Sequence, residues 1–370
     1  MKKNIIQFIF ILLLLAVGYF RITMENKKPL SKTEFVLGTF VTIDIKDHHK
    51  NNKTIIDSAF SIVSYYEKIF SSTIDISETN RINNSDSLVC SISAEMDTLL
   101  QKCRKVSTIS QGAFDITTGK LVEKYDFVKG IMPTQEKISK TLPLVDYKNL
   151  KINNKKLIRQ KQGIIIDLGG IAKGFIVDQV VKYLQNNGIT NAAINAGGDL
   201  YLMENPEKEN WKIGVRHPRL EGEIFGNVSL RNKAIVTSGD YEQFFFQDGK
   251  RIHHILDPAT GFPANKTISV TTVANDACTA DALCTAIFVL GPKKGIDLAN
   301  SLPYVDALII YQENSNNSSE SQKKLTYKTS ANFDQYNFEI NGDLKNLTKK
   351  FLNTRNTLNP CGWSKDFHNE

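Results

Sequence analysis

Five short strings hold the residues of this chain whose types and spacing suit chemistry. In Asp167-Leu168-Gly169-Gly170-Ile171-Ala172-Lys173-Gly174 an expected strand hands over to an expected helix through two glycines, with a lysine in the first turn. Glycine lets backbone approach a ligand closely, and a helix N-terminus favours phosphate oxygens. The order Gly-Lys-Ser/Thr is absent, so the string is not a nucleoside-triphosphate loop. In Ala280-Asp281-Ala282-Leu283-Cys284-Thr285 the aspartate and threonine are four apart on an expected helix, which puts both oxygens on one face. Their neighbours are small and apolar, so that face is expected to be buried, and a buried carboxylate needs a partner. A hard cation such as Mg²⁺ suits it, because it takes oxygen ligands and leaves room for phosphate. A nearby lysine or a capping role would satisfy the carboxylate as well. Three further strings are weaker alone: Asn195-Ala196-Gly197-Gly198-Asp199, Thr237-Ser238-Gly239-Asp240-Tyr241, and His253-His254-Ile255-Leu256-Asp257-Pro258. Adjacent residues of a strand point to opposite faces, so at most one of the two histidines reaches a given site as base or metal ligand. A purely structural histidine remains the simpler alternative there.

Hydrophobic periodicity supplies the elements that must position these residues. Ile56, Phe60, Val63 and Phe70 predict a helix over 53–70, and Met96, Leu99, Leu100, Cys103 and Val106 another over 94–109. Ile164-Ile165-Ile166 reads as a buried strand ending in Asp167. A helix follows from Ile171, with Ile176, Val180 and Leu184 inward and Gly188 as its C-terminal stop. Phe35 to Ile43 reads as two strand pieces meeting at Gly38. Strands are expected at 211–215, 225–230, 234–237, 244–247, 251–256 and 268–274, with Asp248-Gly249 as a hairpin signal. Ala277 to Leu290 suits a helix closed by Gly291, and from Gln312 the composition turns polar.

At 370 residues, 41% hydrophobic and 23% charged, the chain is long enough for a sizeable core. Its net charge of +7 is spread thinly, with no basic run of the kind that nucleic acid selects, so no nucleic-acid partner is expected. Lys2 and Lys3 precede an uncharged run from Ile5 to Phe20, the pattern of a secretory signal or short anchor. The run is short for a full span, which takes about 20 residues. The basic flank should stay in the cytoplasm, leaving the body outside it at the inner, cytoplasmic membrane, facing the periplasm. The expected organisation is a signal peptide or anchor over 1–23, a linker over 24–34, a catalytic body over 35–343 and a polar tail over 344–370. The five cysteines form no C-x-x-C pair, and their odd number leaves at least one unpaired.

Taken together and in this order, the five strings resemble the ApbE family, the FAD:protein FMN transferases. Leu37-Gly38-Thr39, the stretch ending in Ser77-Glu78 and Asn83, and Gly112-Ala113-Phe114-Asp115-Ile116-Thr117 are similar to further family segments, and the likeness runs from about Phe35 to Tyr311. The resemblance implies an α+β fold of two packed lobes, with mixed, largely antiparallel sheets, flanking helices and a flavin site between the lobes. It implies that Asp167 and Lys173 contact FAD, the substrate, and that Ala113, Phe114 and Asp115 line the flavin site, with Leu37 and Ile255 packing on it. The Gly170 main-chain carbonyl, Asp281 and Thr285 would surround Mg²⁺. His254 would help deprotonate the hydroxyl of a Thr or Ser on an acceptor protein, with Asp257 as the competing base. The reaction so implied moves the FMN half of FAD onto that hydroxyl as a phosphoester and releases AMP. The acceptor would be a membrane or exported redox protein. A Mg²⁺-dependent FAD pyrophosphatase and a non-catalytic periplasmic flavin binder are the alternatives. Three departures from the family pattern stand out: Leu37 replaces a usual Met, Lys120 a common Pro, and Ile74 a frequent Tyr.

Overall fold

The computed structural model describes residues 29–204, 210–313 and 324–341. The expected signal or anchor (1–23) and the polar tail (344–370) lie outside the described residues. Among those described, no helix is long and apolar enough to cross a membrane.

Eight strands form the central sheet, in the order Leu30–Val36, Thr39–Ile45, Ala192–Ala196, Asp199–Leu202, Lys233–Gly239, Ser269–Ala274, Val305–Glu313 and Lys324–Thr329. Each neighbouring pair runs antiparallel. The smaller sheets are antiparallel too, so the expected mixed sheets resolve to antiparallel pairing throughout the described residues. The inner strand Ser269–Ala274 is buried at every position, as a strand covered on both faces must be. Its threonines are tolerated because they are paired: Thr272 Oγ1 donates to the Ala280 carbonyl at 2.8 Å, and Thr271 shares a 2.8 Å hydrogen bond with Thr237.

Helices Asn52–Phe70, Ala94–Ile109, Ala172–Asn186 and Ala277–Asn300 pack with this sheet around the main core. The apolar positions that predict the first three are buried, and Gly188 takes the left-handed conformation expected of a helix stop (φ 76°). Other expectations shift. The helix from Ala277 closes at Gly291 as expected (φ 80°), but a further helical stretch follows it from Pro292 to Asn300. Regular structure begins at Leu30, inside the expected linker, because this strand pairs along its whole length with Thr39–Ile45. Ile164 and Ile166 are buried and Gly163 belongs to a turn (φ 81°), but the run 163–167 joins no sheet. Its Ile166 amide and carbonyl bond instead to the Asn83 side chain, at 2.9 and 2.8 Å, and Arg159 Nη1 donates to Ile164. Side chains there do the work of a neighbouring strand. The strand expected over 251–256 stops at His253, and the strand Val305–Glu313 runs through residue 312, where the composition turns polar, to pair with Lys324–Thr329.

A second, smaller apolar cluster gathers Leu121, Tyr125, Ile138, Phe245, Ile252 and Leu256. It forms the smaller lobe, and a cavity opens between it and the main core.

Candidate functional site

That cavity has a volume of about 470 Å³. Val122, Phe127 and Leu256 line it from the smaller cluster, and Gly170, Lys173, Asp281 and Thr285 from the main body.

The main-body side depends on how closely two helices approach. The Asp167 amide donates to the Ile116 carbonyl at 2.7 Å, and Asp167 Oδ1 accepts from the Gly169 amide at 2.8 Å. An aspartate turn of this kind leads the chain into the helix Ala172–Asn186, here called the lysine helix. A Cβ on Gly174 would fall 2.3 Å from the Ala277 carbonyl oxygen and 2.9 Å from the Asp281 Cβ, so only glycine permits this contact. The helix Ala277–Asn300, the aspartate helix, answers with carboxylate and amide contacts in both directions. Asp281 Oδ2 accepts from the Gly174 amide at 3.2 Å, while Asp178 accepts from the Ala277 and Cys278 amides at 2.7 and 3.0 Å. The grouping of Asp178, Asp276 and Cys278 has metal-ligand proximity. Its two carboxylates already cap the aspartate helix, since Asp276 accepts from the Thr279 amide at 2.9 Å.

Asp281 is buried, and its Oδ2 lies 3.7 Å from Lys173 Nζ. The lysine partner left open by the sequence is therefore real, but it is shared. Lys173 Nζ sits nearer to Asp199 Oδ2, at 2.9 Å, and two buried carboxylates face one ammonium. Burial raises the Asp281 pKa above the ordinary carboxylate range; the like charge of Asp199 adds to this, and Lys173 and the Gly174 amide oppose it. For Lys173 burial works against the charge, yet the two carboxylates outweigh it and hold the pKa up.

These residues fit a divalent cation. The excess negative charge is buried, and the Gly170 backbone lies so close to Thr285 that a Cβ would meet its Oγ1 at 3.0 Å. The Thr285 hydroxyl has no hydrogen-bond partner among the described residues. Oxygen donors on one wall with a net charge deficit are what a hard cation takes.

Ala113, Phe114 and Asp115 line the cavity as expected. The Asp115 carboxylate is committed to its own loop, however, accepting from the Thr117 amide and hydroxyl and from the Tyr147 amide at 2.8, 2.6 and 2.7 Å. It shapes the wall. Ile255 and His254 also line the cavity, whereas His253 points into the core, its Nε2 2.9 Å from the Ala264 carbonyl. The two histidines thus face apart, His253 at the end of its strand and His254 in the bend that follows it. His254 Nδ1 lies 3.3 Å from the Gln243 carbonyl, which can only accept, so Nδ1 carries the proton and Nε2 keeps its lone pair. Burial lowers the His254 pKa, and nearby Lys173 lowers it further.

Two expected residues do not join the cavity. Asp257 turns away, its Oδ1 accepting from the Ala259 amide at 2.9 Å to close the turn to Gly261. Leu37 sits at a hairpin tip with φ 60°, its amide donating to Glu67 Oε1 at 2.6 Å, and is absent from the lining. Asp199, Glu242 and Gln243 line the cavity without having been singled out. For Asp199 a signal existed: it follows directly on two glycines. All four cysteines among the described residues are buried and free, so none of them supplies a disulfide.

The sequence model of the ApbE family matches residues 37–309. Among curated proteins, the FAD:protein FMN transferase of Treponema pallidum is 30% identical over 309 residues, covering 77% of this chain and 85% of its own length. That of Klebsiella pneumoniae is 28% identical over 294 residues, covering 78% and 90%. Among solved structures, the ApbE protein of Thermotoga maritima superposes with a TM-score of 0.74 at 32% identity, over 83% of this chain and 99% of the other. The flavin transferase ApbE of Vibrio cholerae gives 0.73 at 26%, over 83% and 99%.

Proposed function

The chain belongs to the ApbE family, and from that membership and the chemistry of the cavity we infer that it transfers the FMN half of FAD to a Thr or Ser hydroxyl of another protein. The observation that carries this reading is the meeting of Asp281, Thr285, the Gly170 backbone and Lys173 in one cavity with a proton-accepting His254. Breaking the FAD pyrophosphate is phosphoryl transfer, in which positioning and charge neutralisation supply most of the catalysis.

Gly170, Asp281 and Thr285 would hold Mg²⁺, whose chemistry there is to neutralise charge on phosphoryl oxygens. The glycine turn lets backbone come near the pyrophosphate, and the start of the lysine helix presents amides toward it. The acceptor hydroxyl attacks the phosphorus of the FMN half, and its proton passes to Nε2 of His254. The bond from that phosphorus to the oxygen shared with AMP breaks, and AMP leaves with the electron pair.

The test is incubation of the protein with FAD, Mg²⁺ and a Thr-bearing acceptor domain, followed by intact mass. Gain of one FMN on the acceptor with release of AMP is expected. FMN and AMP both free in solution, with the acceptor unmodified, would instead indicate a pyrophosphatase.

The reaction takes place outside the cytoplasm, at the membrane, on an exported or membrane-bound redox acceptor. Lys2, Lys3 and the uncharged run from Ile5 to Phe20 support this placement. Membrane fractionation with amino-terminal sequencing separates an anchor from a cleaved signal, and recovery of the intact chain in the cytosolic fraction would rule out both.

A further inference from the structure

The string Asn195-Ala196-Gly197-Gly198-Asp199 delivers a carboxylate to the cavity by local means. Strands Ala192–Ala196 and Asp199–Leu202 pair with Ala196 opposite Asp199, leaving Gly197 and Gly198 as a two-residue turn. Both glycines have positive φ, 61° and 101°, as the tight hairpin turn demands. A Cβ on Gly197 would also strike Thr39 Oγ1 at 2.5 Å. Asn195 Oδ1 accepts from the Gly198 amide at 2.9 Å and closes the turn. Asp199 is thereby held at the start of its strand, with a side chain only 5% exposed.

There it competes with Asp281 for the Lys173 ammonium. Lys173 Nζ is 2.9 Å from Asp199 Oδ2 and 3.7 Å from Asp281 Oδ2, although both carboxylates are equally buried. We propose that Asp199 is a positioning residue that draws the Lys173 ammonium off Asp281 and so leaves Asp281 free to hold the divalent cation. Without Asp199 the ammonium would close on Asp281, the remaining buried carboxylate, and compete with the metal for it. Attraction between charges that are wholly or partly buried is stronger than in bulk water, enough to make that competition count. The inference rests on the reading that Asp281 holds a divalent cation.

The test uses Mn²⁺ as the probe, with its affinity for the FAD-free protein measured by calorimetry or by electron paramagnetic resonance. Asp199→Asn should weaken Mn²⁺ binding by about tenfold. Adding Lys173→Met to Asp199→Asn should restore the affinity to near the original value, because the competitor is gone. Lys173→Met alone should bind Mn²⁺ more tightly than the unaltered protein, an expectation that holds whether or not Asp199→Asn folds. If the double variant stays as weak as Asp199→Asn, then Asp199 ligates the metal itself and the proposal fails. Unchanged affinity in Asp199→Asn, or weaker binding in Lys173→Met, overturns it too. If the unaltered protein binds no Mn²⁺, the metal reading falls together with the inference.

Discussion

The helix pair that carries Lys173, Asp281 and Thr285 and the segment that carries His254 come to the cavity by different routes. In the helix pair Asp281 and Lys173 are held by bonds that also hold the fold, Gly174 to Asp281 and Lys173 to Asp199, and Asp178 ties the lysine helix to the first turn of the aspartate helix. Position and chemistry cannot be separated there. Around the end of the hairpin Phe244–Gln247/Lys250–His253, His254, Ile255 and Leu256 line the cavity while Asp257 serves the turn and His253 the core. Within four residues of His254, a cavity base, a turn aspartate and a core histidine sit side by side. The helix pair is therefore sensitive to changes in packing as well as in chemistry, and the hairpin segment chiefly to changes at the residues that line the cavity.

The strongest test of that contrast is Asp281→Ala, which should lower metal-dependent transfer by about 100-fold or more, as loss of a preorganised charged group does. Lys173 keeps its closer partner Asp199, so circular dichroism should still report a folded protein. Retention of both rate and Mg²⁺ dependence would falsify the metal assignment.

His254→Ala should cost about 100-fold in transfer, the lower end for a general base, with FAD binding measured by fluorescence quenching little changed. In the unaltered protein the pH profile carries a further sign. Because the His254 pKa lies below its ordinary 6.5, the neutral base survives acidification. The acid limb of the rate should thus fall below pH 6.5 and disappear in the variant. An acid limb above pH 7 that survives in His254→Ala would assign the proton transfer elsewhere.

Gly174→Ala tests the helix pair through packing alone. The new methyl would meet backbone at 2.3 Å, so the helices must part, at a cost of about 1–3 kcal/mol or more. A lowered Tm together with weakened Mn²⁺ binding is expected; a Tm equal to the original would mean that the two helices slide freely.

Asp257→Ala should be milder, with the lost turn hydrogen bond worth about 1 kcal/mol and transfer reduced only a fewfold. A loss as large as that of His254→Ala would return Asp257 to the reaction. Leu37→Met, at a tip outside the lining, should change the KM for FAD least of all, by less than about threefold on the scale of a conservative apolar swap.

Much of this was legible in the chain. Helical periodicity located the helices 52–70, 94–109 and 172–186 to within a residue or two, because their burial is one-sided and repeats every turn. The turn Asp248-Gly249 was equally clear, and both residues take the positive φ that such a hairpin needs. Other features were hidden. Residues 163–167 looked like a strand because buried isoleucines such as Ile164 and Ile166 are common to strands and to segments tied down by side chains. The helix beyond Gly291 was missed because a glycine followed by proline marks a break without saying whether helix resumes. Asp115 and Asp257 carry the residue type of a site but spend their carboxylates on backbone amides close by, a choice that depends on where those amides point.

The order of local motifs, the residue types at the glycine turn and the four-residue spacing of Asp281 and Thr285 were determined by the sequence itself. Conformational preference and side-chain periodicity act over a few residues and need no partner. That Lys173 would face two carboxylates was decided only by tertiary structure. Lysine helix, aspartate helix and the Gly197-Gly198 hairpin meet across sequence separations of 26 and 107 residues, those of Lys173–Asp199 and Gly174–Asp281. The balance of charge among two buried carboxylates and a partly buried ammonium depends on distances that no local rule contains. The attraction between charges is set by their separation and by how far each is withdrawn from water.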